Sequence, residues 1–327
     1  MTLFELELPK AYESKYLALI KGKLVDRITN GLLYQGEHKE FTKEVKEILI
    51  PNWSSKASDT SKIERLLIAE PEELVRLNDD INAEIEKLDE SLRPKDKEIE
   101  IIFGYEIIFN TKSKSKAYKL ALEIGANTCC YCNRQYTFTV VRNGNKNKED
   151  RLTRPAFDHW FPKSKFPLLS VSLYNLIPSC TVCNSSAKGD NDVNLHDYIH
   201  PYVHRPQHPK IKFVAVPATE PDRNWTLKIV RKKNSPEDKT IKMFYLDEIY
   251  KEHDKLELKD LMDFRDNYSD GYLKDLMQFL IDNKMDDSSL TREDVYRMIF
   301  GIEWNDDKHL DRPFGKMKND ILKEIIN

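Results

Sequence analysis

Apolar residues recur every three or four positions over several stretches of the chain, which is the spacing of one face of a helix. The clearest stretch is 72–92, where Pro71 suits the first turn and Pro94 stops continuation. The same spacing predicts helices at 115–124, 246–264, 271–283, 294–299 and 314–326. Thr291 and Asp294 give the helix predicted at 294–299 a start that resembles a capping box. The pattern therefore predicts a mainly helical protein.

Strand patterns are short and lie in the middle and later parts of the chain. Alternation predicts strands at 211–216 and 225–230. A hairpin is expected earlier, with Asp158 and His159 on its first strand and 174–177 on its return strand. The segment 180–188 predicts a short helix that Gly189 closes. Because neighbours in a strand point to opposite faces, Asp158 and His159 need a twist or bulge to face one point.

The composition adds limits to this picture. The chain has 327 residues, of which 40% are hydrophobic and 33% are charged, so wholesale disorder is excluded. The longest apolar candidate, 101–109, is much shorter than the roughly 20 residues of a membrane helix. The N-terminal residues show no basic region followed by an apolar stretch, which speaks against a secretory signal. We expect a soluble, cytoplasmic protein without a membrane partner.

Charge is unevenly distributed along the chain. The whole protein has a formal net charge of −3, but Cys129 to Lys210 contains 11 basic and 6 acidic residues. A locally basic segment in an acidic protein fits a confined site for a polyanion better than a generally adhesive surface.

All five cysteines lie between positions 129 and 183. Cys129 with Cys132, and Cys180 with Cys183, form two C-x2-C pairs, which supply the four thiolates of a structural zinc site. Cys130 is left over as a bystander. Two alternatives remain: ordinary reduced cysteines, or a redox C-x-x-C motif, although the latter is typical of a βαβ context.

The segment between and around these pairs carries a second pattern. Asp158-His159 is followed by Pro162-Lys163-Ser164, Asn175 opens the run Asn-Leu-Ile-Pro-Ser-Cys, and Asn184 follows Cys183 with Lys-Gly-Asp beyond. Over about positions 127 to 205, this combination resembles the HNH endonucleases of the ββα-metal (His-Me finger) superfamily.

The resemblance implies roles for individual residues. His159 matches the general base, and Asp158 matches a ligand of the catalytic divalent cation. Asn175 matches the residue that braces the hairpin. Asn184 matches the third motif position, often histidine in the family, and completes the metal site. The two cysteine pairs match the structural zinc that many of these proteins carry.

The chemistry of phosphodiester hydrolysis requires such residues. A neutral imidazole is suited to take a proton from water at pH 7. Carboxylate and amide oxygens on Asp158 and Asn184 favour Mg²⁺ or Mn²⁺ as the catalytic cation. Lys163 and Lys188 flank the motif and are candidates for contacts to substrate phosphates.

The sequence thus predicts an α+β, mainly helical protein. Its central ββα-metal HNH core, with a four-cysteine zinc site, is expected at 127–210. A helical N-terminal region, 1–126, precedes this core, and a C-terminal region, 211–327, follows with short strands and then helices.

The predicted function is metal-dependent hydrolysis of DNA. Two alternatives stay open: an HNH nuclease that cuts RNA such as tRNA, and a non-catalytic, zinc-stapled binding module. Outside the core, the chain is loosely similar to HNH nucleases of bacterial defence systems of the Septu type. That similarity implies a role against foreign DNA and an ATPase as partner.

Overall fold

The N-terminal part is an assembly of helices with one small hairpin. The computed structural model describes residues 4–95, 97–109, 115–143, 149–189, 191–203, 211–219, 224–267, 270–283 and 291–326. The N-terminal elements are α1 (Ala11–Asn30), β1 (Leu32–Tyr34), β2 (Glu37–Lys39), α2 (Lys43–Leu49), α3 (Ser61–Ile68), α4 (Pro71–Glu86), α5 (Glu98–Ile102), α6 (Tyr105–Phe109) and α7 (Ser115–Ile124).

The long helix α1 organises this part. Its buried face includes Tyr12, Tyr16, Ile20 and Leu24, which recur every four residues and therefore share one side of the helix. Helices α3, α5, α6 and α7 pack against α1. This packing places α5 and α6 next to the central hairpin.

Helix α4 confirms the helix predicted at 72–92, with an earlier end. It begins at Pro71, and its buried residues include Leu74, Leu77, Ile81 and Ile85. The α-helix ends at Glu86, and Glu90–Leu92 form a separate 3-10 turn. The helix predicted at 115–124 is confirmed as α7.

The central part contains two antiparallel strand pairs and a short helix. Its elements are β3 (Val140–Asn143), β4 (Glu149–Thr153), β5 (Ala156–His159), β6 (Leu176–Ser179) and the knuckle helix (Val182–Lys188), whose turns are of the wide π type. Strand β3 pairs with β4, and β5 with β6. The order strand, strand, helix was predicted, but the return strand begins two residues later than the predicted 174.

The bulge expected between Asp158 and His159 is absent from the β5–β6 pairing. Asp158 lies opposite Ile177 and His159 opposite Leu176, within four consecutive residue pairs. His159 is the last residue of β5, so the chain leaves the sheet immediately after it. The end of the strand, and not an inserted residue, allows both side chains to border one cavity.

The C-terminal part begins with a hairpin and continues with helices. Its elements are β7 (Lys212–Pro217), β8 (Trp225–Val230), α8 (Pro236–Met243), α9 (Leu246–Lys251), α10 (Lys259–Asn267), α11 (Asp270–Asp282), α12 (Arg292–Phe300) and α13 (Gly315–Ile326). The two predicted strands are confirmed within one residue. The predicted capping box is present at Thr291 and Asp294, at the start of α12.

The stretch predicted as helical at 246–264 is helical over most of its length but is interrupted, because the chain forms α9, a π-type turn at Asp254–Leu258, and α10. The buried carboxylate of Asp254 accepts hydrogen bonds from the Thr226 hydroxyl at 2.5 Å and the Leu227 amide at 2.8 Å. These contacts tie the chain to β8 at the point where the helical pattern is interrupted.

The C-terminal part also packs on the first cysteine pair. The buried side chain of Asn133 donates to the carbonyls of His309 and Arg312, at 3.0 and 3.1 Å. The Tyr250 hydroxyl donates to the carbonyl of Cys132 at 2.7 Å. The described residues therefore form a mainly helical α+β structure around a small central hairpin. None of their helices has the length and apolar character needed to span a membrane.

Candidate functional site

The loop between β5 and β6 is held by Asn175. Its carbonyl oxygen Oδ1 accepts from the Phe161 amide at 2.7 Å, and its Nδ2 donates to the carbonyls of Leu169 at 2.9 Å and Phe161 at 3.2 Å. The Trp160 amide donates to the Asn175 carbonyl at 3.0 Å. Asn175 is fully buried, so these bonds are shielded from water. The side chain braces the loop that joins the two strands.

Four cysteines converge beside this hairpin. The sulfurs of Cys129, Cys132, Cys180 and Cys183 all lie within 4.8 Å of one another, and all four residues are buried. A tetrahedral zinc ion with Zn–S bonds of about 2.3 Å requires sulfurs about 3.8 Å apart. The Cys132 and Cys180 sulfurs are 4.0 Å apart. The cluster is therefore compatible with zinc, and the buried Cys130 lies outside it.

The protonation of these thiols also fits a cation site. Burial, together with the Cys132 and Cys180 sulfurs, raises the pKa of Cys129 well above its ordinary value. Sulfur hydrogen bonds lower the pKa of Cys132 and Cys180. The cluster thus favours the thiolate at some sulfurs and the thiol at others, because burial disfavours each charge while neighbouring thiols donate to the charged sulfurs. A bound dication removes that conflict.

Asp158 is a buried carboxylate with two donors. It is 3% exposed, and its Oδ2 accepts from the Tyr131 hydroxyl at 2.6 Å. Its Oδ1 accepts from the Lys188 ammonium at 3.2 Å. Burial raises the pKa of Asp158, while Lys188 and Tyr131 oppose that rise by favouring the charged form.

His159 is oriented by a backbone carbonyl. Its Nε2 lies 2.8 Å from the carbonyl oxygen of Ser170. A carbonyl only accepts hydrogen bonds, so Nε2 carries the proton and Nδ1 is the basic atom of the neutral ring. Burial, helped by the positive charges of Lys163 and Lys188, lowers the pKa of His159 to about 4. The imidazole is therefore neutral at pH 7.

One cavity of about 240 Å³ brings most of the predicted residues together. Asp158, His159, Asn184 and Lys163 all line it. The side-chain amide of Asn184 forms no hydrogen bond to the described residues, so its oxygen is available to a ligand. The Lys163 ammonium lies at the rim, 3.3 Å from Glu106.

Lys188 is placed differently from a surface lysine. It is 1% exposed, and its ammonium donates to the His159 carbonyl at 2.7 Å as well as to Asp158. In this arrangement the ammonium bonds to groups inside the protein and does not face the cavity. The expectation that Lys188 contacts a substrate phosphate stays a prediction, and that contact requires the side chain to move.

Three site residues were missed by the sequence analysis. Tyr131 lies between cysteines of the first pair, and that position is a signal that could have identified it. Tyr105 and Glu106 on α6 line the same cavity as His159. No local pattern marks these two, because only the packing of α6 on the hairpin brings them to the site.

The arrangement combines a neutral imidazole, a buried carboxylate, an available side-chain amide and the half-exposed ammonium of Lys163 around one small cavity, and a four-cysteine cluster lies beside the same hairpin. Comparisons of the chain with protein-family models, curated proteins and solved structures give no match. The functional argument therefore depends on the chemistry of these side chains. That chemistry is suited to activating a water molecule beside an anionic substrate.

Proposed function

We propose that this protein is a metal-dependent endonuclease of the HNH type, with DNA as its expected substrate. The observation that carries the proposal is the shared cavity, which Asp158, His159, Asn184 and Lys163 all line. These four side chains supply the base, the oxygen ligands and the positive charge that phosphodiester hydrolysis needs. The strand, strand, helix order of β5, β6 and the knuckle helix further supports it.

In this proposal His159 is the general base. The Ser170 carbonyl fixes the tautomer, which leaves Nδ1 to take the proton of the attacking water. The depressed pKa of His159 keeps the ring neutral at pH 7, the form that a base requires. Lys163 attracts the phosphate group to the rim of the cavity.

Asp158 and Asn184 would hold the catalytic Mg²⁺ or Mn²⁺. A carboxylate has about four lone-pair positions, and Tyr131 and Lys188 together occupy two of them. The side-chain amide of Asn184 has no hydrogen-bond partner among the described residues. The atoms available as metal ligands are therefore oxygens, which these hard cations prefer. When bound, the cation supplies Lewis-acid stabilisation of charge on the phosphate.

The four-cysteine cluster would hold a structural zinc. Cys129 and Cys132 precede the hairpin, and Cys180 and Cys183 join β6 to the knuckle helix. A metal bound by all four therefore fixes the helix that carries Asn184 against the hairpin that carries His159. Zinc has a structural role here, and the oxygen-ligated cation has the catalytic one.

Cleavage assays test this function. Supercoiled plasmid DNA and total RNA are each incubated with the wild type, with Mg²⁺ or Mn²⁺ and with EDTA, and with the His159→Ala variant. The matched control is His196→Ala, because His196 has a 94% exposed side chain outside the cavity. We expect metal-dependent cutting of plasmid that His159→Ala abolishes and His196→Ala preserves.

Other outcomes separate the alternatives. Cutting of RNA alone identifies an HNH ribonuclease, and equal cutting by wild type and His159→Ala refutes the assigned base. The resemblance to Septu-type nucleases also extends the proposal to defence against foreign DNA with an ATPase partner. If the isolated protein is silent, the assay is repeated with ATPase recovered by pull-down, and continued silence favours a non-catalytic binding module.

A further inference from the structure

The N-terminal region contributes an aromatic side chain to the candidate site. Tyr105, the first residue of α6, lies edge-on to the His159 ring, with centroids 5.0 Å apart and an interplanar angle of 89°. On its other side it stacks on Phe109, with centroids 4.5 Å apart. Because Phe109 is fully buried, the Tyr105 ring has a rigid support. The His159 imidazole is thus fixed by Ser170 through a hydrogen bond and by Tyr105 through packing.

The hydroxyl of Tyr105 is the unexplained part of this residue. Tyr105 is 6% exposed, and its hydroxyl forms no hydrogen bond of ordinary geometry to the described residues, although the Arg154 guanidinium approaches it. A buried hydroxyl without a partner is destabilising, because it has given up its hydrogen bonds to water, so native proteins rarely keep one without a reason. Burial raises the pKa of Tyr105 to about 12, although the Arg154 guanidinium opposes that rise. At neutral pH the group is therefore a hydrogen-bond donor.

Tyr105 also lies at the junction of two cavities. One is the cavity of about 240 Å³ described above, and the other has a volume of about 700 Å³. Both are lined by Tyr105, Glu106 and Lys163, so they adjoin at these residues. Ser170, whose carbonyl orients His159, also lines the larger cavity.

The larger cavity has features of a ligand site. Its volume falls within the range of about 300–1,000 Å³ that is typical for organic ligands. It lies between the β1–β2 hairpin, helices α5 and α6, and the loop after β5. The rings of Tyr34 and Tyr105 line it, together with three lysines and three glutamates: Lys39, Lys97, Lys163, Glu37, Glu100 and Glu106. Lys39 pairs with Glu37 at 2.6 Å, and Lys163 pairs with Glu106 at 3.3 Å. A nucleotide fits this lining when its base stacks on an aromatic ring and its phosphate takes the place of a glutamate beside a lysine.

We propose that the larger cavity holds the nucleotide next to the scissile phosphate, and that Tyr105 donates its hydroxyl hydrogen bond to that phosphodiester while its ring positions His159. The inference rests on the proposed nuclease function and adds a substrate subsite to it. A phosphodiester oxygen only accepts hydrogen bonds, which suits a hydroxyl that keeps its proton. The N-terminal region then belongs to the active site.

The test uses Tyr105→Phe and Tyr105→Leu in the full-length protein. The control is Tyr296→Phe, whose hydroxyl donates to Asn319 in the C-terminal part at 3.1 Å. Each protein is measured for thermal midpoint, for cleavage kinetics, and for binding of fluorescein-labelled DNA and RNA oligonucleotides in EDTA. Binding in EDTA does not require cleavage, so it gives a readout of its own.

Tyr105→Phe is expected to keep a thermal midpoint close to that of the wild type, because the hydroxyl forms no hydrogen bond of ordinary geometry to the described residues and only its approach to Arg154 is lost. Its affinity for the oligonucleotide and its rate of cleavage should both fall, by about ten- to a hundredfold, which is the range for one hydrogen bond to a charged group. Tyr105→Leu should lower kcat further, since the support of the His159 ring is removed. Tyr296→Phe should leave binding and cleavage unchanged.

Two results overturn the inference. A clearly lowered midpoint in Tyr105→Phe shows that the hydroxyl has a structural partner, and wild-type binding and cleavage in that variant show that it does not contact substrate. These outcomes differ from failure of the nuclease function itself, in which His159→Ala behaves like the wild type. If no cleavage occurs at all, weaker oligonucleotide binding by Tyr105→Phe still supports the subsite, and unchanged binding refutes it.

Discussion

The Tyr131 hydroxyl donates a hydrogen bond of 2.6 Å to Oδ2 of Asp158. Tyr131 is part of the first cysteine pair, between Cys130 and Cys132, and is 1% exposed. Its ring stacks on Phe244, at a centroid distance of 4.3 Å, at the end of α8. The segment that carries the first cysteine pair and the candidate catalytic carboxylate are therefore connected through one buried side chain. Loosening of the cluster should affect the site through this bond.

Replacement of Tyr131 by phenylalanine tests that connection. The variant keeps the stacked ring but leaves Asp158 with one donor fewer in a buried environment. We expect the free energy of unfolding to fall by about 1–3 kcal/mol, measured by urea denaturation of the zinc-loaded protein. Tyr174→Phe is the control, because it removes a bond of the same length, 2.6 Å, to the half-buried Glu13. Water can replace that partner, so an equal loss in both variants would contradict the special role of Tyr131.

The parts of the fold that local patterns determine could be predicted from the sequence. Helices α4 and α7 follow from regular apolar spacing, and the start of α12 from its capping box. The break after α9 could not be predicted, since it depends on Asp254 bonding to β8. That contact joins residues that lie far apart in the chain and leaves the apolar period unchanged.

The candidate site likewise has one part that could be predicted from the sequence and one part that could not. The four-cysteine cluster followed from two C-x2-C pairs, because the spacing itself reflects metal geometry. The contacts of Tyr105 with His159 and of Lys188 with Asp158 were not predicted. Both depend on how separate elements pack together, and a buried lysine and a surface lysine look alike in a sequence.

Removal of one cluster sulfur should release the metal. Cys180→Ser is expected to lower the zinc content well below one ion per chain, and to lower the thermal midpoint, because a four-ligand site is broken. Cys130→Ala is the matched control, since Cys130 is equally buried but outside the cluster. It should keep its zinc and lose only about 1 kcal/mol of packing. Zinc is measured by elemental analysis, and full zinc occupancy in Cys180→Ser would refute the four-thiolate site.

Lys188 and Asp158 should depend strongly on each other for stability. The pair has side-chain exposures of 1% and 4%, so Lys188→Met leaves a buried carboxylate without its counter-charge. We expect a loss of about 3–5 kcal/mol in the free energy of unfolding. The double variant Asp158→Asn/Lys188→Met should recover part of that loss, since no unpaired charge remains. Additive losses in this cycle, measured by urea denaturation, would show that the two groups do not interact.

Asp238 should make stability depend on pH in the acidic range. Its carboxylate accepts from Lys242 at 2.7 Å, from the Asn234 amide at 2.9 Å and from Arg231 at 2.9 Å. Lys242 first, and then the other donors, lower the pKa of Asp238 to about 2. A depressed pKa means that the folded state favours the charged form. The stabilisation is complete above the unfolded value near 4 and is lost as the pH falls towards 2.

Comparison of the wild type with Asp238→Asn isolates this effect. We expect the difference between their free energies of unfolding to be largest at pH 7 and 5, and to shrink between pH 4 and 3. Other acid-sensitive groups, including the thiolates of the cysteine cluster, are common to both proteins and cancel in the difference. Asp263→Asn serves as control, because Asp263 forms an exposed ion pair with Lys259 that contributes little at any pH. A difference for Asp238→Asn that stays constant from pH 7 to 3 would show that its carboxylate is not stabilised in the charged form.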